Sequence, residues 1–179
     1  MKKTIIILAA FVIVLLGLFV FYGGCYKITI QNINTGGETL IYEAVTGPYS
    51  QSFKVSDKIH NDLLDSKIET TKCLGIYYDN PKNVDKDKLR SEIGCIVENV
   101  DSETIEKLKT KYSVKILPNE NYIVAEFPYK GSLSILMGIK KVYPAIEKYS
   151  KENNYADAPI MEIYDVPNKK IIYRKFINN

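Results

Sequence analysis

From Tyr26 onward the hydrophobic positions switch between a period of two and a period near four, and the switches divide the chain into elements. Tyr26–Ile33 alternates, with Tyr26, Ile28 and Ile30 set against Lys27, Thr29 and Gln31, which predicts a strand. Asn34-Thr35-Gly36-Gly37 breaks it, and Thr39–Thr46 resumes as a second extended run. Gly47-Pro48 closes that run and Tyr49-Ser50 opens a helix predicted over Ser50–Asp65. Phe53, Ile59, Leu63 and Leu64 fall near helical spacing there, while Lys54, Asp57, Lys58 and Asp62 lie mostly elsewhere. Two apolar runs, Leu74–Tyr78 and Ile93–Val97, flank Asp79-Asn80-Pro81 and a polar connector that reaches Lys88. A residue before proline is kept out of the right-handed helical region, so Asn80 turns the chain, and the pair reads as an antiparallel hairpin with an exposed lip.

The second half follows the same grammar. Asp101–Lys111 reads as a short helix with Asp101 or Ser102 as its N-cap, then Ser113–Leu117 and Tyr122–Phe127 as strands. A longer helix is predicted over Gly131–Asn153, with Leu133, Leu136, Met137, Val142, Ile146 and Tyr149 as its apolar face and Pro144 interrupting it. Pro159–Tyr164 and Lys169–Ile177 are the closing strands. TLIYEAVTGPYS, a helix and LGIYYDNP are echoed about 85 residues later by NYIVAEFPYKGS, a helix and MEIYDVP. The expected fold is therefore α+β, with duplicated halves at about 26–98 and 112–177. Each half would contribute strands and one helix to an antiparallel sheet with its helices on one face. Halves related by a pseudo-twofold axis leave a groove between them.

Ahead of this domain, Ile5–Tyr22 carries no charge over 18 residues and follows Met-Lys-Lys. As a helix it would be roughly 27 Å long, close to a bilayer's hydrocarbon thickness. It exceeds the apolar core of about 7–15 residues usual in a cleaved signal peptide. Residues 1–25 thus read as a signal anchor and 26–179 as the domain. The alternative is lipoprotein processing at Tyr22-Gly23-Gly24-Cys25 with acylation of Cys25. Lys2, Lys3 and the amino terminus outweigh Lys27, which places the N-terminus in the cytoplasm and the domain outside, in a periplasm or on a cell surface.

The formal net charge of +3 includes Lys2 and Lys3, so the domain is nearly neutral and nucleic-acid binding has no support. Fourteen Tyr and no Trp is a skewed aromatic choice, suited to half-buried strands and to amphipathic walls. No Gly-x-Ser-x-Gly, phosphate loop or Ser/His/Asp set occurs. A lone histidine, His60, sits among polar helix positions and reads as a plain surface residue. With one His and no Cys-x-x-Cys, neither a metal nor a cofactor is expected.

Four motifs in order carry a resemblance: Gly47-Pro48-Tyr49 before the first helix, Tyr78-Asp79-Asn80-Pro81, the step Lys88-Leu89-Arg90 into a strand with Gly94 at its middle, and Glu162-Ile163-Tyr164. Together they are similar to the GyrI-like (AraC-type effector-binding) domain family, over about Tyr26–Ile177. The leading apolar helix, the Tyr-Tyr-Asp-Asn-Pro turn and the proline-interrupted second helix resemble a membrane-anchored mammalian branch that includes an ER-phagy receptor. The resemblance implies an SHS2-type duplicated fold with a ligand pocket between the halves. It also implies that Glu162 matches the family's acidic residue, which contacts cationic or polar ligands in effector-binding members and acts in catalysis in hydrolase-like ones. No helix-turn-helix precedes the domain and the sequence closes on its last strand, so neither the transcription-factor arrangement nor the receptor role is expected to transfer.

Read from the residues alone, Glu162 lies inside the apolar strand PIMEIY, where a carboxylate is costly to bury without a partner. It shares a face with Ile160 and Tyr164 and takes the place of Gly75 in the repeat. A solvent-facing strand position is the alternative. Tyr49, Tyr78 and Tyr164 could line the groove beside it or serve as core and rim packing. Cys73 and Cys95 lie almost symmetrically about the hairpin midpoint, which leaves open a cross-strand disulfide or two buried thiols. The favoured function is binding of a small cationic or lipophilic molecule, or of a protein partner, without chemistry. A hydrolase of electrophilic compounds using Glu162, and a structural envelope protein whose groove is self-filled, are the other readings.

Overall fold

A computed structural model describes residues 2–177, so expectations tied to the final two residues lie outside it. Helix α1 (Lys2–Phe21) is apolar on every side, has no buried residue and has a mean hydropathy of 3.2 over its 18-residue window. It is long and apolar enough to cross a membrane. The remaining elements are β1 (Ile30–Thr35), β2 (Thr39–Thr46), α2 (Ser52–Asp65), β3 (Lys72–Tyr77), β4 (Arg90–Val97), α3 (Ser102–Lys109), β5 (Ser113–Ile116), β6 (Glu120–Pro128), α4 (Ser132–Glu152), β7 (Ile160–Asp165) and β8 (Lys170–Phe176). A short 3-10 turn, Tyr49–Gln51, leads into α2, and Asp101 caps α3 by accepting the Thr104 N–H.

All eight strands pair antiparallel in one sheet, ordered β1-β6-β8-β7-β3-β4-β2-β5. Outward from the β3–β7 seam the order is β3-β4-β2-β5 on one side and β7-β8-β6-β1 on the other. In chain order β2-α2-β3-β4 corresponds to β6-α4-β7-β8. Gly75 and Glu162 are direct partners across the seam.

Alternation assigns the two faces. Helix α2 lays Ile59 and Leu63 against Ile41, Cys95 and Val97, and α4 lays Val142 and Ile146 against Ile123, Ala125, Phe127, Ile171 and Tyr173. The opposite face carries no helix, yet Leu40, Leu74, Ile76, Ile96, Tyr122, Val124, Met161 and Ile163 form a buried cluster there. The chain itself explains this. A flat sheet would hold β1 and β2 apart by six strand spacings, roughly 29 Å at about 4.8 Å each. Only Gly36-Gly37-Glu38 joins them, a connector that reaches at most about 14 Å. The sheet therefore curls until its edges approach, and the uncovered face becomes an inner core. An ion pair between Arg174 on β8 and Glu38 on this connector, 2.8 Å, fastens the curl.

Two expected faces need correction. In α4 the buried positions are Ser134, Ile135, Gly138, Val142, Ile146 and Ser150, while Leu133 and Leu136 are about half exposed. Small residues let the helix lie close to the sheet, so the stripe runs one position away from the leucines. In α2, Phe53 and Leu64 are likewise exposed and Ser52 is buried. The first strand also begins later than its alternation suggests. Tyr26 stacks edge-on against Phe127 instead of joining the sheet, and its carbonyl accepts a hydrogen bond from Lys141.

Candidate functional site

The β3–β7 seam lies on the sheet face that carries α2 and α4. On the helix-bearing face, β3 presents Cys73, Gly75 and Tyr77, and β7 presents Ile160, Glu162 and Tyr164. Glu162 is only 2% exposed. Its carboxylate accepts hydrogen bonds from the Tyr143 hydroxyl at 2.8 Å and the Tyr164 hydroxyl at 2.5 Å. Among the described residues no lysine or arginine pairs with it. Burial pushes its pKa above the ordinary value, and the two tyrosine hydrogen bonds partly hold it down. The tyrosines respond in kind, since burial and the neighbouring carboxylate raise the pKa of Tyr143, Tyr164 and Tyr77.

The aromatic wall rests on two glycines. At Gly75 an added Cβ would sit 2.7 Å from the Tyr77 hydroxyl, so the missing side chain is what lets Tyr77 lie across the seam. At Gly138 an added Cβ would sit 2.3 Å from the Tyr173 hydroxyl, which is buried without a hydrogen-bond partner among the described residues. Tyr173 is the direct cross-strand partner of Glu162 on β8. Tyr49 packs against Tyr77 with ring centroids 4.7 Å apart, and Phe53 and Tyr129 stand about 6 Å from Tyr164. The Tyr49 hydroxyl accepts the Asp79 N–H at 3.0 Å and donates to the Asp79 carbonyl at 2.8 Å, which ties the wall to the hairpin turn. Below that turn Arg90 forks onto the Asp79 carboxylate, with Nη2 to Oδ1 at 2.7 Å and Nε to Oδ2 at 3.0 Å, and holds its pKa below the usual range.

Of the four expected groove residues, Glu162, Tyr164 and Tyr49 come together, the last through Tyr77. Tyr78 does not. It follows Tyr77 on the other face, where burial, and then the neighbouring Glu92 and Tyr42, raise its pKa. The residues the sequence reading missed are Tyr77, Tyr143 and Tyr173. Tyr143 carried a usable signal, one position past the core residue Val142 on a helix facing the seam. His60 also departs from expectation: it is half-buried beside Cys73 and Cys95 rather than free on the surface. Cys73 and Cys95 are direct cross-strand partners.

The seam thus holds a buried carboxylate that is hydrogen-bonded by tyrosine hydroxyls and has no cation beside it among the described residues. Residues 46–172 match the GyrI-like small molecule binding domain, and the chain belongs to that family. Over 99 residues, 52% of the chain, it is 35% identical to Testis-expressed protein 264 of Homo sapiens, and the match spans 32% of that protein's length. Among solved structures, the C-terminal domain of EcmrR is similar over 86% of this chain and 98% of that one, with a TM-score of 0.59 at 13% identity. SAV2435 bound to tetraphenylphosphonium is similar over 84% and 94%, with a TM-score of 0.55 at 14% identity.

Proposed function

We propose that the protein binds a small lipophilic cation at Glu162, in the groove between the two halves. The observation that carries this reading is a carboxylate 2% exposed whose hydrogen-bond partners are tyrosine hydroxyls and not a cationic side chain. Such a charge is costly unless an outside cation completes it, and tyrosine faces attract cations at close range. The solved relative with tetraphenylphosphonium supports the ligand class by analogy of fold. The groove is filled by its own side chains, so entry requires Tyr77 or Tyr164 to swing outward past the exposed rim residue Phe53. The carboxylate's charge and the tyrosine lid then make binding and opening one event.

On this proposal residues 26–179 form the binding domain and α1 anchors it as a single-pass segment. Lys2 and Lys3 would keep the N-terminus cytoplasmic and the domain outside. A second reading, hydrolysis of an electrophilic small molecule, is favoured by one observation. Two hydroxyls lie within proton-transfer distance of Glu162, as a general acid or base requires.

The test is thermal unfolding of the full chain in lipid nanodiscs with tetraphenylphosphonium, for wild type and Glu162→Gln. Stabilisation of wild type alone supports a cation site at Glu162. Equal shifts in both proteins mean that the probe acts elsewhere, and no shift in either favours a structural role in which the seam never opens. Release of product from an activated ester by wild type and not by the variant would favour the hydrolase.

A further inference from the structure

A second cluster of chemistry-bearing side chains lies one strand away from Glu162, in the first half only. Strands β3 and β4 set Cys73 directly opposite Cys95, and α2 crosses above them with His60 next to the fully buried Ile59. The Sγ atoms of both cysteines and a ring nitrogen of His60 all lie within 4.8 Å of one another. We propose that His60, Cys73 and Cys95 form a binding site for a soft or borderline metal ion, zinc above all, with a fourth position open to solvent.

The geometry asks for little movement. Zinc takes sulfur at about 2.3 Å and imidazole nitrogen at about 2.0–2.1 Å, so donors around a tetrahedral ion stand roughly 3.5–3.8 Å apart. Contraction by about an ångström closes the present arrangement, within reach of small side-chain rotations. Two thiolates and an imidazole are the donor types that select zinc or copper(I) over magnesium or calcium. Cys95 is fully buried, with its thiol 3.9 Å from the Ser56 carbonyl, which provides a dry wall. Cys73 and His60 are half-buried and give access.

The other half argues that this is not a generic feature of the sheet. The pair that corresponds to Cys73 and Cys95 across the seam is Ile160 and Lys175, and Lys175 is occupied by an ion pair with Asp157 at 2.8 Å. A disulfide would use the same two sulfurs but leave His60 idle, so the histidine separates the two chemistries.

The experiment is cobalt titration of the full chain, reduced and in detergent, followed by zinc displacement. One equivalent of cobalt should bind, with thiolate-to-metal charge-transfer absorption in the near ultraviolet and tetrahedral bands in the red, and zinc should erase both. His60→Ala and Cys73→Ser should each weaken uptake by at least the roughly tenfold that losing even an outer-shell partner costs. Circular dichroism checks that these variants fold; Cys95→Ser is avoided because that side chain is core. Absence of the charge-transfer band in folded wild type, uptake unchanged by His60→Ala, or a Cys73–Cys95 disulfide that survives reductant would each overturn the site.

Discussion

The two halves of the sheet share strand order and helix placement but differ where they meet and just beside it. On the seam the first half has Gly75 and the second has Glu162, paired directly. Two residues along, the first half carries Cys73 and Cys95 where the second carries Ile160 and Lys175. Helix packing, by contrast, is nearly interchangeable: Ile59 and Leu63 do under α2 what Val142 and Ile146 do under α4. Architecture is thus held by what the halves have in common, and chemistry sits in what they do not. The empty position of Gly75 matters as much to the seam as the carboxylate, because it gives Tyr77 room to lie there.

The most severe way to break this comparison is to make the halves alike at the seam. Gly75→Glu would set two carboxylates opposite each other in a dry groove and drive a side chain into Tyr77. Leaving a buried charge uncompensated costs about 3–5 kcal/mol, so chemical denaturation should show a loss of that size at neutral pH or no folded protein at all.

A smaller effect sharpens the role of Glu162. Its folded pKa lies above the ordinary 4.5, so the folded state holds the proton more tightly than the unfolded one. Its contribution to stability is fully present below about 4.5 and is lost as pH rises through the folded value. Unfolding measured across that window should show stability falling with rising pH, and Glu162→Gln should remove this part of the slope. Cation binding should move the opposite way and strengthen as the carboxylate ionises. Tyr164→Phe removes a hydrogen bond to the charged form, at about 1–3 kcal/mol, and should raise the Glu162 pKa further in a carboxyl-labelled NMR titration.

The smallest effect separates two adjacent tyrosines. Tyr78→Phe should leave cation binding unchanged, whereas Tyr77→Phe should alter it, because only Tyr77 shares the face of Glu162. A titration in which Tyr78→Phe weakens binding as much as Tyr77→Phe would show that the groove reaches the other face of the sheet.

That pair also shows where sequence reasoning ran out. The hairpin, a cap at Asp101 or Ser102 and Thr39–Thr46 were legible because turn chemistry and alternation are local, and the structure puts the cap on Asp101. Which face Tyr77 and Tyr78 take was not, because both faces of β3 are buried: Leu74 and Ile76 look apolar on one side, and Cys73 and Gly75 pass for apolar on the other. Glu162 could be singled out because a carboxylate breaks an apolar run. Its partner Tyr143 arrives from a helix 19 residues earlier, and nothing local joins them. His60 was misread for the same reason: its neighbours Cys73 and Cys95 come from two other elements. The leucines of α4 misled because hydrophobicity was weighed above size, whereas Ser134, Gly138 and Ser150 set how closely the helix approaches.

Lys141 joins the leading helix to the domain. Its ammonium takes the carbonyls of Gly24 at 2.5 Å and Tyr26 at 2.6 Å, just past the end of α1, and so clasps that end to α4. A glycine-rich tether would let a domain wander over a distance that grows with the square root of its length. Here Gly23-Gly24 is pinned instead. On the proposed anchoring of α1 in a bilayer, the height of the Glu162 face above the lipid would be a constant of the fold. Lipophilic molecules dissolved in that bilayer would then find the groove by a search over a surface rather than through a volume.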